Sequence, residues 1–367
     1  MQIFGACNRY VQGYGALGEL KKYTGFMGKT FFIMASKNRL RALENTVREA
    51  MGSDLELVFF EFGGECSWEE IRKAEKAAKA AGADAVFGIG GGKAADAAKV
   101  VAHLLRTPVV IIPTIAASDA STSAASLIYN AQGTVEEVLN FPRSPELVLV
   151  DTRVLIEAPV RLFVAGMGDA LSTYVGAKVC QDNFVDNHFG GKGTQTALAI
   201  ARLSYDTLLG LGRQAKAAAD ARAVTDAYNR IVEVNILMSG LGFENNGSAS
   251  DHSFYFGALA LPGREEYVFH GEGVAFSTCC QMVMQGASDG ELDEVYSFCL
   301  DVGLPITLGD MRLTDLTEEE YALMTEETLR QQFVSAHPFE VTFEKVYGAY
   351  KTADAIGHMY KKGGRLI

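Results

Sequence analysis

No uninterrupted apolar stretch in this 367-residue chain reaches the length of a membrane-spanning helix, which argues against a membrane protein. Positive charge is scarce: 33 Lys and Arg face 45 Asp and Glu, a formal net charge of −12. Nucleic acids and anionic membrane surfaces want basic partners, so neither is expected here. Cysteine is sparse and unpatterned: Cys7, Cys66, Cys180, Cys279, Cys280 and Cys299 form no CxxC pair, and the adjacent Cys279 and Cys280 have poor geometry for a mutual disulfide. That spacing excludes a secreted disulfide framework or a zinc knuckle and predicts reduced thiols. The opening MQIFGACNRY has no apolar signal core, so a cytoplasmic protein is expected. Internal repeats and low-complexity stretches are missing too. What remains is an ordinary globular composition, 48% hydrophobic and 21% charged, in a chain long enough for two cores.

The first 150 or so residues alternate strand and helix patterns. Continuous apolar runs at 29–35, 55–62, 84–90, 108–114 and 146–152 suit parallel strands covered on both faces. Between the second and third, Ser67 and Glu70 have the spacing of a capping box, and the helix they open should stop at Gly82. Beyond residue 153 strand patterns give way to helical ones, with a hinge near Asp151–Pro159. The expected organisation is therefore an α/β nucleotide-binding domain with a parallel sheet over residues 1–155, then an all-α metal- and substrate-binding domain over 156–367. The acidic segment 317–329 reads as a solvated helix face.

Two loops carry candidate chemistry in the first half. Gly88, Gly90, Gly91 and Gly92 lie between a strand and a helix and are followed by Lys93. Glycines there let backbone N–H groups approach a pyrophosphate, and the helix N-terminus adds favourable charge. The motif is neither GxGxxG, since Lys93 stands where the third Gly would fall, nor a P-loop, since Ala94 replaces the Mg²⁺-binding Ser or Thr. The alternative is a Gly-rich turn needed only for packing. The next strand ends in PTIAASDASTSAASLIYN (113–130), where Asp119 sits among Ser118, Ser121, Thr122 and Ser123. That carboxylate either serves a Ser/Thr-rich turn or bonds a substrate hydroxyl.

In the second half, Asp169 (in GMGDA), His252 (in SASDHSFYF) and His270 (in YVFHGEG) are the ligand types a catalytic divalent metal prefers. Each has a plain structural reading as well, Asp169 as a helix cap above all.

The chain resembles the glycerol dehydrogenase branch of the iron-containing alcohol dehydrogenase superfamily. The likeness runs through YVQG (10–13), FGGECS (62–67), GIGGGKAADAAK (88–99), PTIAASDASTSAASLIY (113–129), LVLVDT (147–152), GMGDALSTY (166–174), GLGFE (240–244), HGEGVAF (270–276) and GLPITL (303–308). The resemblance implies that superfamily's fold, shared with dehydroquinate-synthase-like enzymes, and a homo-oligomer. It assigns a divalent metal, Zn²⁺ with Fe²⁺ or Mn²⁺ as alternatives, to Asp169, His252 and His270, which would act on the reaction through that ion. It lays a nicotinamide cofactor on Gly91, Gly92, Lys93, Asp96, Thr114, Ser123 and Tyr129, and turns Asp119 toward a small alcohol or polyol.

The chain departs from the family at several points. Ser36 replaces the Asp that accepts from the adenine ribose, with Lys37 beside it, so NADP joins NAD as a candidate. Tyr255 replaces a histidine usual three residues after the first ligand histidine, and Gly273 replaces a lysine. Asn245, Asn246, Asp251 and Phe254 also differ and should reshape the substrate pocket. The implied activity is reversible oxidation of a small polyol or vicinal diol to its hydroxyketone. The rivals are a reductase of small aldehydes or ketones, a dehydroquinate-synthase-like lyase and a silent binding protein. The lyase would need basic residues that 240–273 offers only in Arg264.

Overall fold

The computed structural model describes residues 1–131, 133–261 and 268–367; Arg264 lies outside them. It contains strands β1 (Tyr10–Gly13), β2 (Thr30–Ala35), β3 (Glu56–Glu61), β4 (Ala85–Gly90), β5 (Val109–Pro113), β6 (Ala125–Tyr129), β7 (Val135–Asn140) and β8 (Leu147–Asp151). Six form one parallel sheet in the order β1-β8-β5-β4-β2-β3. The interior strands TFFIMA, AVFGIG, VVIIP and LVLVD are buried along nearly their whole length, as a sheet covered on both faces requires. All five strands expected from the apolar runs are present. β1 is an addition, as is the β6–β7 antiparallel hairpin.

The chain goes from β2 out to β3, then crosses back to place β4 on the other side of β2. The β2/β4 pair is thus a topological switch point, where open α/β sheets bind ligands beyond the carboxyl ends of their strands. Ala35 of β2 lies opposite Ile89 of β4, so Ser36 and the glycine loop leave the sheet side by side. Helix Trp68–Ala80 starts as expected, the Ser67 hydroxyl accepting from Glu70 N–H (3.3 Å). The reciprocal half of the box is not made: the Glu70 carboxylate accepts instead from Gly63 N–H (2.7 Å).

By its contacts the chain falls into two compact units, one of Gly5–Pro159 with Ala218–Gly240, the other of Met1–Phe4, Val160–Ala217 and Leu241–Ile367. The break at 159 is close to the expected 155, but two segments group differently from the expected 1–155 and 156–367. Residues 218–240 stay with the sheet because the loop after β5 bonds to them. Asn235 Nδ2 donates to Ala116 C=O (3.0 Å), Thr122 Oγ1 to Ile236 C=O (2.9 Å) and Ser239 Oγ to Asp119 Oδ2 (3.0 Å). The N-terminus goes to the helical unit through Ile3, whose C=O accepts from Asn187 Nδ2 (2.8 Å) and whose N–H donates to Lys192 C=O (3.1 Å).

The helical unit contains no strand of four or more residues among its described residues. Its site lies on helices Val160–Asp182, Ser250–Leu259 and His270–Met284. Helix Glu318–Arg330 shows that the acidic segment is not only a solvated face: Thr317 and Glu320 form a capping box, and Met324, Thr325 and Thr328 are buried. All six cysteines are free thiols. No helix among the described residues is long and apolar enough to cross a membrane.

Candidate metal centre and nucleotide loop

Helices Val160–Asp182 and His270–Met284 cross at two glycines, each beside a candidate ligand. A Cβ on Gly271 would overlap the Ala165 carbonyl, and one on Gly168 would overlap the Gly271 carbonyl. Only hydrogen at these positions lets the two backbones touch, and the touching point carries Asp169 and His270 with it. An ion pair locks the same crossing from the side: the Arg161 guanidinium grips the Glu272 carboxylate through Nε (2.6 Å) and Nη2 (2.8 Å). Glu272 also accepts from Phe269 N–H (3.0 Å), so it fixes the start of the helix that opens with His270. The Glu272 pairing holds the Arg161 guanidinium above its usual range.

His270 Nε2 stands 3.2 Å from Asp169 Oδ1, and His252 completes the group: one ligand atom from each of Asp169, His252 and His270 lies within 4.8 Å of the others. Donors around one divalent ion at ordinary bond lengths sit about 3.4 Å apart, so the three close on an ion with small side-chain adjustments. A carboxylate and two imidazoles suit Zn²⁺, Fe²⁺ or Mn²⁺. Asp169 is buried while the His270 side chain is 40% exposed, leaving one side of the group open. Asp169 lies mid-helix, which removes the alternative of a helix-capping aspartate.

His188, which has no distinctive sequence setting, stands half-buried and edge-on against Phe243, and the loss of solvent around it, with the nearby His252, pushes its imidazole pKa down to about 4.

Tyr255 and Gly273, two departures from the family pattern, meet each other. One edge of the Tyr255 ring lies in the space a Cβ on Gly273 would occupy, with Cδ2 at 2.4 Å and Cε2 at 2.5 Å from that position. The same ring stands perpendicular to His270, centroids 4.9 Å apart at 84°. Gly273→Ala is therefore expected to destabilise the protein by about 2 kcal/mol through overpacking. With Tyr255→Ala present, the same change becomes stabilising by about 1 kcal/mol, the ordinary helix preference for Ala over Gly. Denaturant midpoints of the four proteins check that reversal of sign.

In the sheet unit, the loop glycines divide into two kinds. A Cβ on Gly88 would strike the Cβ of Ala98 at 2.6 Å, so this glycine brings the strand against helix Gly92–Leu105. A Cβ on Gly92 would meet only ordinary contacts, Ala120 at 3.5 Å and Ser118 at 3.6 Å. Packing thus accounts for Gly88 and leaves Gly92 to another purpose. Gly91 caps that helix with no side chain. Lys93 pairs with Glu65 (2.6 Å) and lies 4.6 Å from the centre of the Tyr129 ring. Thr114 is buried at the end of β5, its N–H bonded to Gly90 C=O (2.8 Å).

Asp96 and Ser123, two further expected nucleotide contacts, lie on helix Gly92–Leu105 and on the segment after β5. Both are buried and turn toward Lys99: Asp96 Oδ1 is 2.9 Å from Lys99 Nζ, and Ser123 Oγ accepts from it at 3.3 Å. Lys99 also donates to the carbonyls of Ala120 (2.8 Å) and Ala125, and Asp96 accepts from Leu127 N–H (3.2 Å). These groups staple the 120–127 segment to the loop helix from beneath. Asp119 is half-buried, with Oδ2 taken by Ser239 and its backbone C=O accepting from Thr122 N–H (3.1 Å). Ser36 caps helix Lys37–Met51 without a hydrogen bond from its side chain.

A parallel-sheet unit with a glycine loop at its switch point, joined in one chain to a helical unit bearing Asp, His and His, defines a metal-assisted dehydrogenase architecture. The chain belongs to the iron-containing alcohol dehydrogenase family. The family model matches residues 7–152. The chain is 41% identical to a glycerol dehydrogenase of Citrobacter freundii over 356 residues, 96% of this chain and 97% of that one. It is 35% identical to a glycolaldehyde reductase of Halobacterium salinarum over 357 residues, 97% of this chain and 98% of that one. The crystal structure of glycerol dehydrogenase from Schizosaccharomyces pombe superposes with a TM-score of 0.95 at 31% identity, covering 100% of this chain and 95% of that one.

Proposed function

We propose that this protein is a glycerol dehydrogenase-like oxidoreductase that interconverts a small polyol or vicinal diol and its hydroxyketone. The observation that carries the reading is the convergence of Asp169, His252 and His270 from three separate helices. A divalent ion supplies Lewis acidity that lowers the pKa of an alcohol, and a nicotinamide supplies the hydride acceptor. Asp169, His252 and His270 hold the ion, with His270 on the open side. Gly91 and Gly92 offer backbone N–H groups and a helix N-terminus to the pyrophosphate, and Lys93 adds positive charge. Asp119, held by Ser239, orients a neighbouring hydroxyl, which is a proximity effect.

The nucleotide preference turns on Ser36. It lies beyond β2 beside the glycine loop and brings no carboxylate to repel a 2′-phosphate, while Lys37 beside it is exposed. NADP is therefore accepted along with NAD. Ser36→Asp is expected to lower kcat/KM with NADP by roughly 30-fold, about 2 kcal/mol of like-charge repulsion, and to leave NAD little changed.

The similarity to a glycolaldehyde reductase favours one second reading, that the physiological direction is reduction. A single panel addresses both. Glycerol, 1,2-propanediol and 2,3-butanediol are assayed forward, hydroxyacetone and lactaldehyde in reverse, each with NAD(H) and NADP(H). Turnover of at least one diol–hydroxyketone couple is expected. A panel with no turnover in either direction would sink the proposal.

A further inference from the structure

We propose that Asp251 is a positioning residue for His252, the outer carboxylate of a carboxylate–histidine–metal relay; the proposal rests on Asp169, His252 and His270 being metal ligands. The Asp251 carboxylate is buried at 1% exposure. Its Oδ1 accepts from His252 N–H (2.7 Å) and lies 3.0 Å from His252 Nδ1. A buried carboxylate needs donors, so Nδ1 carries the proton and Nε2 keeps the lone pair that a metal requires. Such a partner fixes the tautomer and ring orientation of a ligand histidine and strengthens it as a donor.

Asp251 also ties together the helices that carry the ligands. Its own helix, Ser250–Leu259, bears His252. Its backbone N–H donates to Gln281 Oε1 (2.6 Å), on the helix that bears His270. Its Oδ2 lodges over Gly176, on the helix that bears Asp169, where an added Cβ would stand 3.1 Å away. The competing account is local: a carboxylate in the first turn of a helix stabilises that helix whatever its neighbours do. The two accounts differ in what a substitution does to metal binding.

The experiment measures Zn²⁺ affinity of the full-length metal-stripped protein by competition with a chromophoric chelator. The visible spectrum of the Co²⁺-loaded protein and the melting midpoint of the metal-free form are recorded alongside. Asp251→Ala is expected to weaken Zn²⁺ binding about 10- to 100-fold and to alter the Co²⁺ spectrum. Asp251→Asn, which keeps an acceptor but loses the charge, should show a smaller loss in the same direction. If Asp251→Ala does not fold, Asp251→Asn decides alone. A variant that melts lower without metal but binds Zn²⁺ as tightly as wild type, with an unchanged Co²⁺ spectrum, overturns the proposal and leaves the helix-stability account. Wild-type protein that binds no divalent ion overturns the metal reading itself, and this proposal with it.

Discussion

His270→Ala is expected to lower kcat by about three orders of magnitude while the fold survives. The ligand set stabilises charge on the reacting oxygen by several kcal/mol, and each 1.36 kcal/mol is a factor of ten, so losing about 4 kcal/mol is roughly a thousandfold. The fold should survive because the His270 side chain is 40% exposed and begins its helix. Truncation there leaves no buried cavity, and its stability cost should stay within about 0.5–1 kcal/mol. Steady-state rates at saturating alcohol, with metal content by elemental analysis and a melting curve, check the three parts together. A His270→Ala protein with rates within a few-fold of wild type would remove this residue from the site.

Gly271→Ala, one position along, should do the opposite: little direct chemistry lost, much structure lost. The added methyl would fall on the Ala165 carbonyl, and backbone cannot rotate aside as a side chain can. The helices must separate, which is expected to cost about 3 kcal/mol and to carry His270 away from Asp169. At roughly 2–4 °C per kcal/mol for a unit of this size, the melting midpoint should fall by about 10 °C. Gly168→Ala presses on the same crossing from the other helix and should behave alike, so the two penalties should be far from additive in the double variant. Unchanged melting in both would mean that the crossing is not held by close backbone contact.

Much of the fold is legible in the sequence because the interior parallel strands are buried on both faces. β2, β4, β5 and β8 are nearly continuous apolar runs, and β3 nearly so. β1, YVQG, is too short and too mixed to stand out, and β7, VEEVLN, is mostly exposed and reads as surface. The segment 218–240 has a helical pattern wherever it packs; only its bonds to the loop after β5 assign it to the sheet unit.

The site divides in a similar way. Asp169, His252 and His270 were visible as residue types, but no periodicity links positions so far apart. The glycines that bring two of them together were in plain view beside them, as GMGDA and HGEG, without a hint that they touch. The burial of Asp96 is itself legible in GKAADAAKVVAHLL. The stretch after Lys93 is apolar on nearly every face, and Asp96 and Lys99, three apart, are spaced to neutralise each other within it. In the sequence Asp251 stands out only as a departure from the family; its role depends on where its carboxylate points, which sequence does not encode.

The proposed function makes the oxidation of a small polyol depend on a metal ion held by Asp169, His252 and His270. It is tested most directly by one chelation experiment on the native protein with a substrate from the panel and NAD. Exhaustive treatment with EDTA should drop the rate below about one hundredth, in line with the several kcal/mol such an ion contributes. One equivalent of Zn²⁺, Fe²⁺ or Mn²⁺ should restore it. Full dehydrogenase activity in protein shown to be metal-free would contradict the account.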